Sequence, residues 1–164
     1  PGKTFKICTE ERWRKIMFEK LKERIKEHEG YRGIVYKDSL GFATIGYGHL
    51  VTKEDNYEEG IEYSQEQLEA VFESDFQNAC DCADMVAQNS NINFDEHPQP
   101  VKEVLIEMVF QLGVGGVSKF KKFLANLSTK TYHLAADEML DSRWAKQTPM
   151  RAEKLSYTIR ELAH

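Results

Sequence analysis

Glu29–Leu50 reads EGYRGIVYKDSLGFATIGYGHL. A charged, helix-favouring segment precedes it. Inside it the apolar period changes to two, with Ile34 and Tyr36 alternating with Val35 and Lys37. DSLG at 38–41 has turn composition, and Phe42–Ile45 opens a second strand. Gly46 and Gly48 permit another bend, because glycine accepts backbone angles that side chains disfavour. The stretch therefore predicts a small sheet of two or three strands. It also carries two acids, Glu29 and Asp38, with Thr44 and His49 close by in the chain.

Upstream, Thr9 is suited to cap a helix from about Glu10 to Glu29, which Gly30 ends. Trp13, Ile16, Met17, Leu21 and Ile25 keep helical spacing, so they are expected to form one buried stripe. Downstream, residues 52–63 read as polar loop. Ser64 with Gln67 is a capping-box pattern, and it opens a long helix from about Gln65 to Gln88. The expected inner face of that helix is Leu68, Val71, Phe72, Phe76, Ala79 and Val86.

NSNINFDEHPQP reads as a loop, followed by a buried helix from about Val101 to Leu112 that Gly113, Gly115 and Gly116 break. Shorter helices are expected near 117–127 and 131–141, and a last one with Thr148 as cap and Pro149 at its first position. The class is α+β. A small β-bearing lobe (about 30–63) and a helical lobe (about 98–164, with the first helix) are joined by a strut-like helix (about 64–88).

With 164 residues the chain is one domain or two lobes sharing a core. No apolar run approaches the ~20 residues that cross a bilayer, and PGKTFKICTEE has no apolar core of a signal peptide. The missing initiator Met reads as processing or as excision from a larger protein. Cys8, Cys80 and Cys82 are odd in number and are expected as thiols in or near the core. No Cys/His spacing suggests zinc.

Charge is segregated. Residues 1–53 hold 12 Lys/Arg against 7 Asp/Glu, whereas 54–101 hold 13 acids and no Lys or Arg. This disfavours nucleic-acid binding, which needs a basic surface. The acidic run reads as a solvated helix face, or as a docking surface for a basic partner.

Two carboxyls in unlike settings can hydrolyse a glycosidic bond. A desolvated Glu holds its proton for the leaving oxygen, while an Asp on a polar turn stays ionised and handles water or the sugar cation. A hydroxyl such as Thr44 can hold that water in line. With 27 acids in the chain, a Glu and an Asp nine apart say little by themselves.

Their surroundings say more. HEGYRGIVYKDSLGFATIGYGHLVTK (28–53) strongly resembles the catalytic block of the phage-type lysozymes, glycoside hydrolase family 24, and the T-even phage lysozymes in particular. LIEMVFQLGVGGVSKF (105–120) resembles the family's buried central helix and its break. SRWAKQTPMRA (142–152) resembles its final cleft-side segment. The three follow in family order, and the resemblance covers roughly Phe18 to Ile159.

The resemblance implies a two-lobed fold with the substrate cleft between the lobes. It implies hydrolysis, with inversion, of the β-1,4 bond between N-acetylmuramic acid and N-acetylglucosamine in peptidoglycan. Glu29 falls on the general acid, Asp38 on the second catalytic carboxylate, and Thr44 on the residue that helps position the attacking water. Leu50 and Phe110 match apolar cleft residues, with Gln111 beside Phe110. Phe123 stands where a small hydroxyl residue would be, and Glu138 where an amide would be. Those departures bear on how the glycan and its peptide stems are held. His49 matches a position whose imidazole pairs with an Asp on the connecting helix, here Asp75, in a structural role. Arg151 matches a position near the catalytic Glu. No metal or organic cofactor is implied.

Glu29 has 28 residues ahead of it where the T-even pattern has about ten, and the chain stops sooner after its last helix. Residues 1–17 therefore read as an extension to a lysozyme domain at 18–164. It is expected either to supply packing or to act as a linker from a tail or baseplate protein. An isolated domain of this kind is expected to be monomeric, and an inhibitor or a phage structural protein is the expected kind of partner for its acidic 54–101 segment. Delivery is expected through holin-dependent release from the host cytoplasm, or with the virion tail. The competing functions are a non-catalytic wall-binding or virion structural module and a lytic transglycosylase. A worn module should have lost one of Glu29, Asp38 and Thr44, and a transglycosylase would not need Asp38.

Overall fold

A computed structural model describes residues 2–163, with the side chains of 2–11 and of Arg14 outside the description. It confirms the α+β class: mostly helix, with one three-stranded antiparallel sheet in the order β1-β2-β3. The chain divides into two compact units, residues 1–76 and 77–164, and the division falls inside a helix.

The first unit holds α1 (Gly2–Glu29), β1 (Arg32–Lys37), β2 (Ala43–Gly46), β3 (His49–Leu50) and the start of α2 (Gln65–Asn89). Ser64 and Gln67 close the expected capping box: the Gln67 N–H donates to Ser64 Oγ at 3.2 Å, and the Ser64 N–H to Gln67 Oε1 at 3.2 Å. Contacts between α1 and α2 run antiparallel. The Phe18 and Phe76 rings meet at 6.0 Å, Lys22 Nζ reaches Glu73 at 2.8 Å, and Lys26 binds Glu69. Leu21, Ile25, Ile45, Leu68, Phe72 and Phe76 are buried and form this unit's core.

Two expectations about α1 are corrected. The helix begins at Gly2, so Thr9 lies inside it and does not cap it. Capping residues mark a helix start only where the preceding backbone is not itself helical. The burial stripe is shorter than its spacing implied: Leu21 and Ile25 are fully buried, Met17 is half-buried, and Trp13 and Ile16 are 64% and 41% exposed. A helix of 28 residues is ~42 Å long. Among the described residues, the ring contact and ion pairs that join α1 to this unit's part of α2 start at Phe18. Cys8 lies among the side chains outside the description.

The acidic run also finds its context here. Glu69 and Glu73 meet Lys26 and Lys22 of the basic first helix, and Asp55 and Asp75 meet His49. Part of the segregated charge is thus paired within the chain. The 54–101 segment is therefore only partly a solvated face.

The second unit holds the rest of α2, α3 (Gln99–Ser118), α4 (Lys121–Ser128), α5 (Tyr132–Leu140), α6 (Arg143–Gln147) and α7 (Pro149–Arg160). The expected loop before α3 contains a 3₁₀ turn at Phe94–Glu96, capped by Asn93. The expected break in α3 is a kink at Gly113, whose φ of 72° and ψ of 172° leave the helical region. Lys121–Ser128 and Tyr132–Leu140 shorten the two middle helices. α6 was not foreseen; at five residues it is too short for periodicity to reveal, although Ser142 caps it by accepting from the Ala145 N–H at 3.1 Å. Pro149 does open α7, but the Thr148 hydroxyl donates back to the Trp144 carbonyl at 3.0 Å and does not cap the new helix. Val104, Leu105, Ile106, Met108, Phe123, Leu127, Met139, Trp144, Leu155 and Ile159 build the core. Cys80 and Cys82 are half-buried thiols, with Cys82 Sγ 3.9 Å from Asn78 Oδ1.

Candidate active site

Glu29 is the last residue of α1, and the Gly30 N–H closes the helix by donating to the Lys26 carbonyl at 2.9 Å. The half-buried Glu29 side chain lies against Gly48. A Cβ built at Gly48 would stand 2.8 Å from Glu29 Oε2, and Gly48 has φ +77°. Glycine is favoured there by its backbone angle, and its missing side chain leaves the carboxylate undisplaced.

Asp38 stands at the β1–β2 turn. Its Oδ1 accepts from the Leu40 and Phe42 N–H groups, each at 2.9 Å, while its own N–H donates to the Phe42 carbonyl at 2.9 Å. The carboxylate is thereby locked in direction. Its second oxygen makes no hydrogen bond among the described residues. Thr44 on β2 is buried, and its hydroxyl donates to the same Phe42 carbonyl at 3.0 Å. The backbone N–H and carbonyl of Phe42 thus tie the acid of the turn to the hydroxyl of the strand.

Tyr36 is opposite Thr44 in the ladder. Burial pushes its phenol above the ordinary value, the Arg32 guanidinium over its ring at 4.6 Å works the other way, and the charges of Glu29 and Asp38 both raise it. One side chain therefore lies in the field of both carboxylates. Nothing in its sequence position, one tyrosine of seven, marks it for that. Leu50 on β3 is opposite Thr44 in the ladder and 54% exposed.

His49 is held at both nitrogens. Nδ1 donates to Asp75 Oδ2 at 2.7 Å, as expected, and Nε2 donates to Asp55 Oδ2 at 3.0 Å, which was not foreseen. The hydrogen bond to Asp75 raises the imidazole to about 9, against an opposing effect of burial and with help from Asp55. Burial alone would raise Asp55; the Thr52 N–H and the His49 imidazolium outweigh it and hold that carboxyl low. At neutral pH the ring is a cation with both N–H groups engaged, and so has no lone pair with which to act as a base.

The remaining candidates belong to the second unit. Phe110 and Gln111 are half-buried on α3, and Gln111 Oε1 accepts from the Trp144 indole N–H at 2.8 Å. Phe123 is 1% exposed with its ring edge-on to Phe120, and the half-buried Glu138 lines the same cavity of about 580 Å³. Arg151 Nε donates to Glu107 Oε2 at 2.9 Å, both groups buried. Among the described residues no cluster of His, Cys, Asp and Glu is arranged to hold a metal, and no helix is long and apolar enough to cross a membrane.

Residues 26–157 match the phage lysozyme family. The chain belongs to the phage lysozyme family. Within that family, it is 34% identical over 160 residues to "Probable T4-type lysozyme 2" of Dictyostelium discoideum, covering 85% of this chain and 92% of that protein. It is 28% identical over 162 residues to the pre-baseplate central spike protein Gp5 of Enterobacteria phage T4, covering 85% of this chain and 27% of that much longer protein. It is 26% identical over 132 residues to the peptidoglycan hydrolase gp36 of Pseudomonas phage phiKMV, 80% of this chain and 14% of that one. Family membership assigns it to the lysozyme-type peptidoglycan hydrolases.

Proposed function

We propose that this lysozyme-family chain is an N-acetylmuramidase that hydrolyses the β-1,4 bond between N-acetylmuramic acid and N-acetylglucosamine with inversion. Glu29 is the general acid and gives its proton to the glycosidic oxygen as the C1–O bond breaks. On the opposite face, water forms the new C1–O bond while Asp38 takes its proton and Thr44 aligns it. Glu29 finishes ionised and Asp38 protonated, and exchange with solvent resets both. The observation that carries this reading is the bonding of Asp38 and Thr44 to the backbone of one residue, Phe42, whose N–H holds a carboxylate oxygen and whose carbonyl holds a hydroxyl. The field of Glu29 and Asp38 at Tyr36 supports the grouping.

Leu50, Phe110, Gln111, Phe123 and Glu138 are proposed substrate contacts on the resemblance alone, with 18–164 as the lysozyme domain. A phage-encoded protein that reaches the wall after holin-dependent release or with the virion tail fits the family and the similarity to Gp5. The test is clearing of outer-membrane-permeabilised Gram-negative cells, with Glu29→Gln as control. Lysis by the parent and none by the variant is expected; equal lysis by both refutes the assignment of Glu29. Fragments should carry reducing ends with the α anomer formed first. Anhydromuramic ends would instead establish a transglycosylase.

A further inference from the structure

Pairing of β1 with β2 sets Tyr36 opposite Thr44 and Lys37 opposite Ala43, and pairing of β2 with β3 sets Thr44 opposite Leu50. Directly opposed residues share a face of a sheet, and so do residues two apart along a strand. Tyr36, Thr44 and Leu50 therefore form one row. Asp38 and Phe42 lie just beyond the ends of β1 and β2, two residues along from Tyr36 and Thr44, and are bonded backbone to backbone there.

Thr44 is buried, while Phe42 and Leu50 each stay 54% exposed. The Phe42 ring makes no ring or cation contact among the described residues. A single exposed aromatic is ordinary on a protein surface; what distinguishes Phe42 is that its own backbone binds the Asp38 carboxylate and the Thr44 hydroxyl. Whatever lies on the ring is thereby brought into register with both.

We propose that the Phe42 ring, flanked by Leu50, is a stacking platform for a pyranose of the glycan. The axial C–H groups of a β-1,4-linked N-acetyl sugar present a flat apolar face that packs on an aromatic ring, while the hydroxyls of the sugar stay wet. Phe42 is a substrate-positioning residue: it fixes the plane of the sugar relative to the oxygen of Asp38 that makes no hydrogen bond. This deepens the muramidase reading and rests on it.

The test uses the full chain carrying Glu29→Gln, which binds without turnover, and an N-acetylated β-1,4-glucosamine tetrasaccharide as the probe. Calorimetry and NMR titration compare Phe42 with Phe42→Ala, Phe42→Leu and Phe42→Trp. Phe42→Ala should weaken binding about tenfold, which is ~1.4 kcal/mol. Phe42→Trp should hold or tighten it, and Phe42→Leu should fail to restore it. Sugar C–H signals should move upfield only with an aromatic at 42, a shift that a merely structural role would not produce. Because the backbone bonds of residue 42 do not need its ring, the variants should melt with the parent.

Equal affinity for Phe42→Ala and the parent, full rescue by Phe42→Leu, or no binding to the Phe42 protein at all would each overturn the platform. Turnover of purified peptidoglycan by the chain with Glu29 intact is read separately. Its absence alongside ring-dependent binding would refute the hydrolase reading and leave the platform standing.

Discussion

The Glu29 carboxylate rests against Gly48: a methyl group there would lie 2.8 Å from Glu29 Oε2 and 3.4 Å from Cδ. The nearest atoms belong to a flexible side chain, so Gly48→Ala should displace the carboxylate without expelling it from the fold. The φ of +77° adds strain, and the expected cost is more than ~1 kcal/mol. A shift of the acid by ~1 Å can cost ~100-fold in rate. Thermal melts and clearing assays on the folded variant check both. Unchanged kcat would show that the contact does not position the acid.

The His49 cation between Asp75 and Asp55 makes stability depend on pH. Its pKa rises from 6.5 to about 9 on folding, so the contribution is complete below pH 6.5, declines between 6.5 and about 9, and is gone above. Denaturant unfolding of the parent should weaken with rising pH across that window. His49→Asn should be less stable, flat there, and still active. A variant that keeps the slope, or that folds and loses all turnover, contradicts the structural role.

Arg151 and Glu107 are buried together between α7 and α3. Removing one partner leaves a buried charge without its counter-ion from this pair, so Arg151→Ala should cost ~3–5 kcal/mol, and the double variant Arg151→Met/Glu107→Leu should cost less than either single change. Denaturation midpoints measure this. Additive losses would show that the two groups are not coupled.

Trp13 and Ile16 share the spacing of Leu21 and Ile25 but not their burial. Trp13→Ala and Ile16→Ala should each stay within ~0.5 kcal/mol of the parent, while Leu21→Ala should cost ~2–5 kcal/mol. A large loss at Trp13 would restore the packing role first expected of the extension.

These four sites also mark where residue order stops being informative. The hairpin at 32–46, the capping box at Ser64 and the start of α7 at Pro149 follow from interactions a few residues long, so composition and period reveal them. α6 escaped because five residues complete barely more than one turn, and the start of α1 was misplaced because Thr9 is as compatible with a helix interior as with its cap. Motif likeness singled out Glu29, Asp38 and Thr44, but it carried no sign of Gly48 as the seat of the acid, or of Tyr36 within the field of both carboxylates.

Local order along the chain determined the elements, their caps and the chemistry the hairpin could offer, because neighbours in sequence interact whatever the rest of the chain does. Folding alone decided which lysines neutralise the acidic helix, that Asp55 joins Asp75 on His49, and that the helical stripe is covered at Leu21 but bare at Trp13. Spacing states which side of a helix is apolar. Whether another surface arrives to cover it, or a second charge to share a proton, depends on residues tens of positions away, and only their arrangement in space supplies the answer.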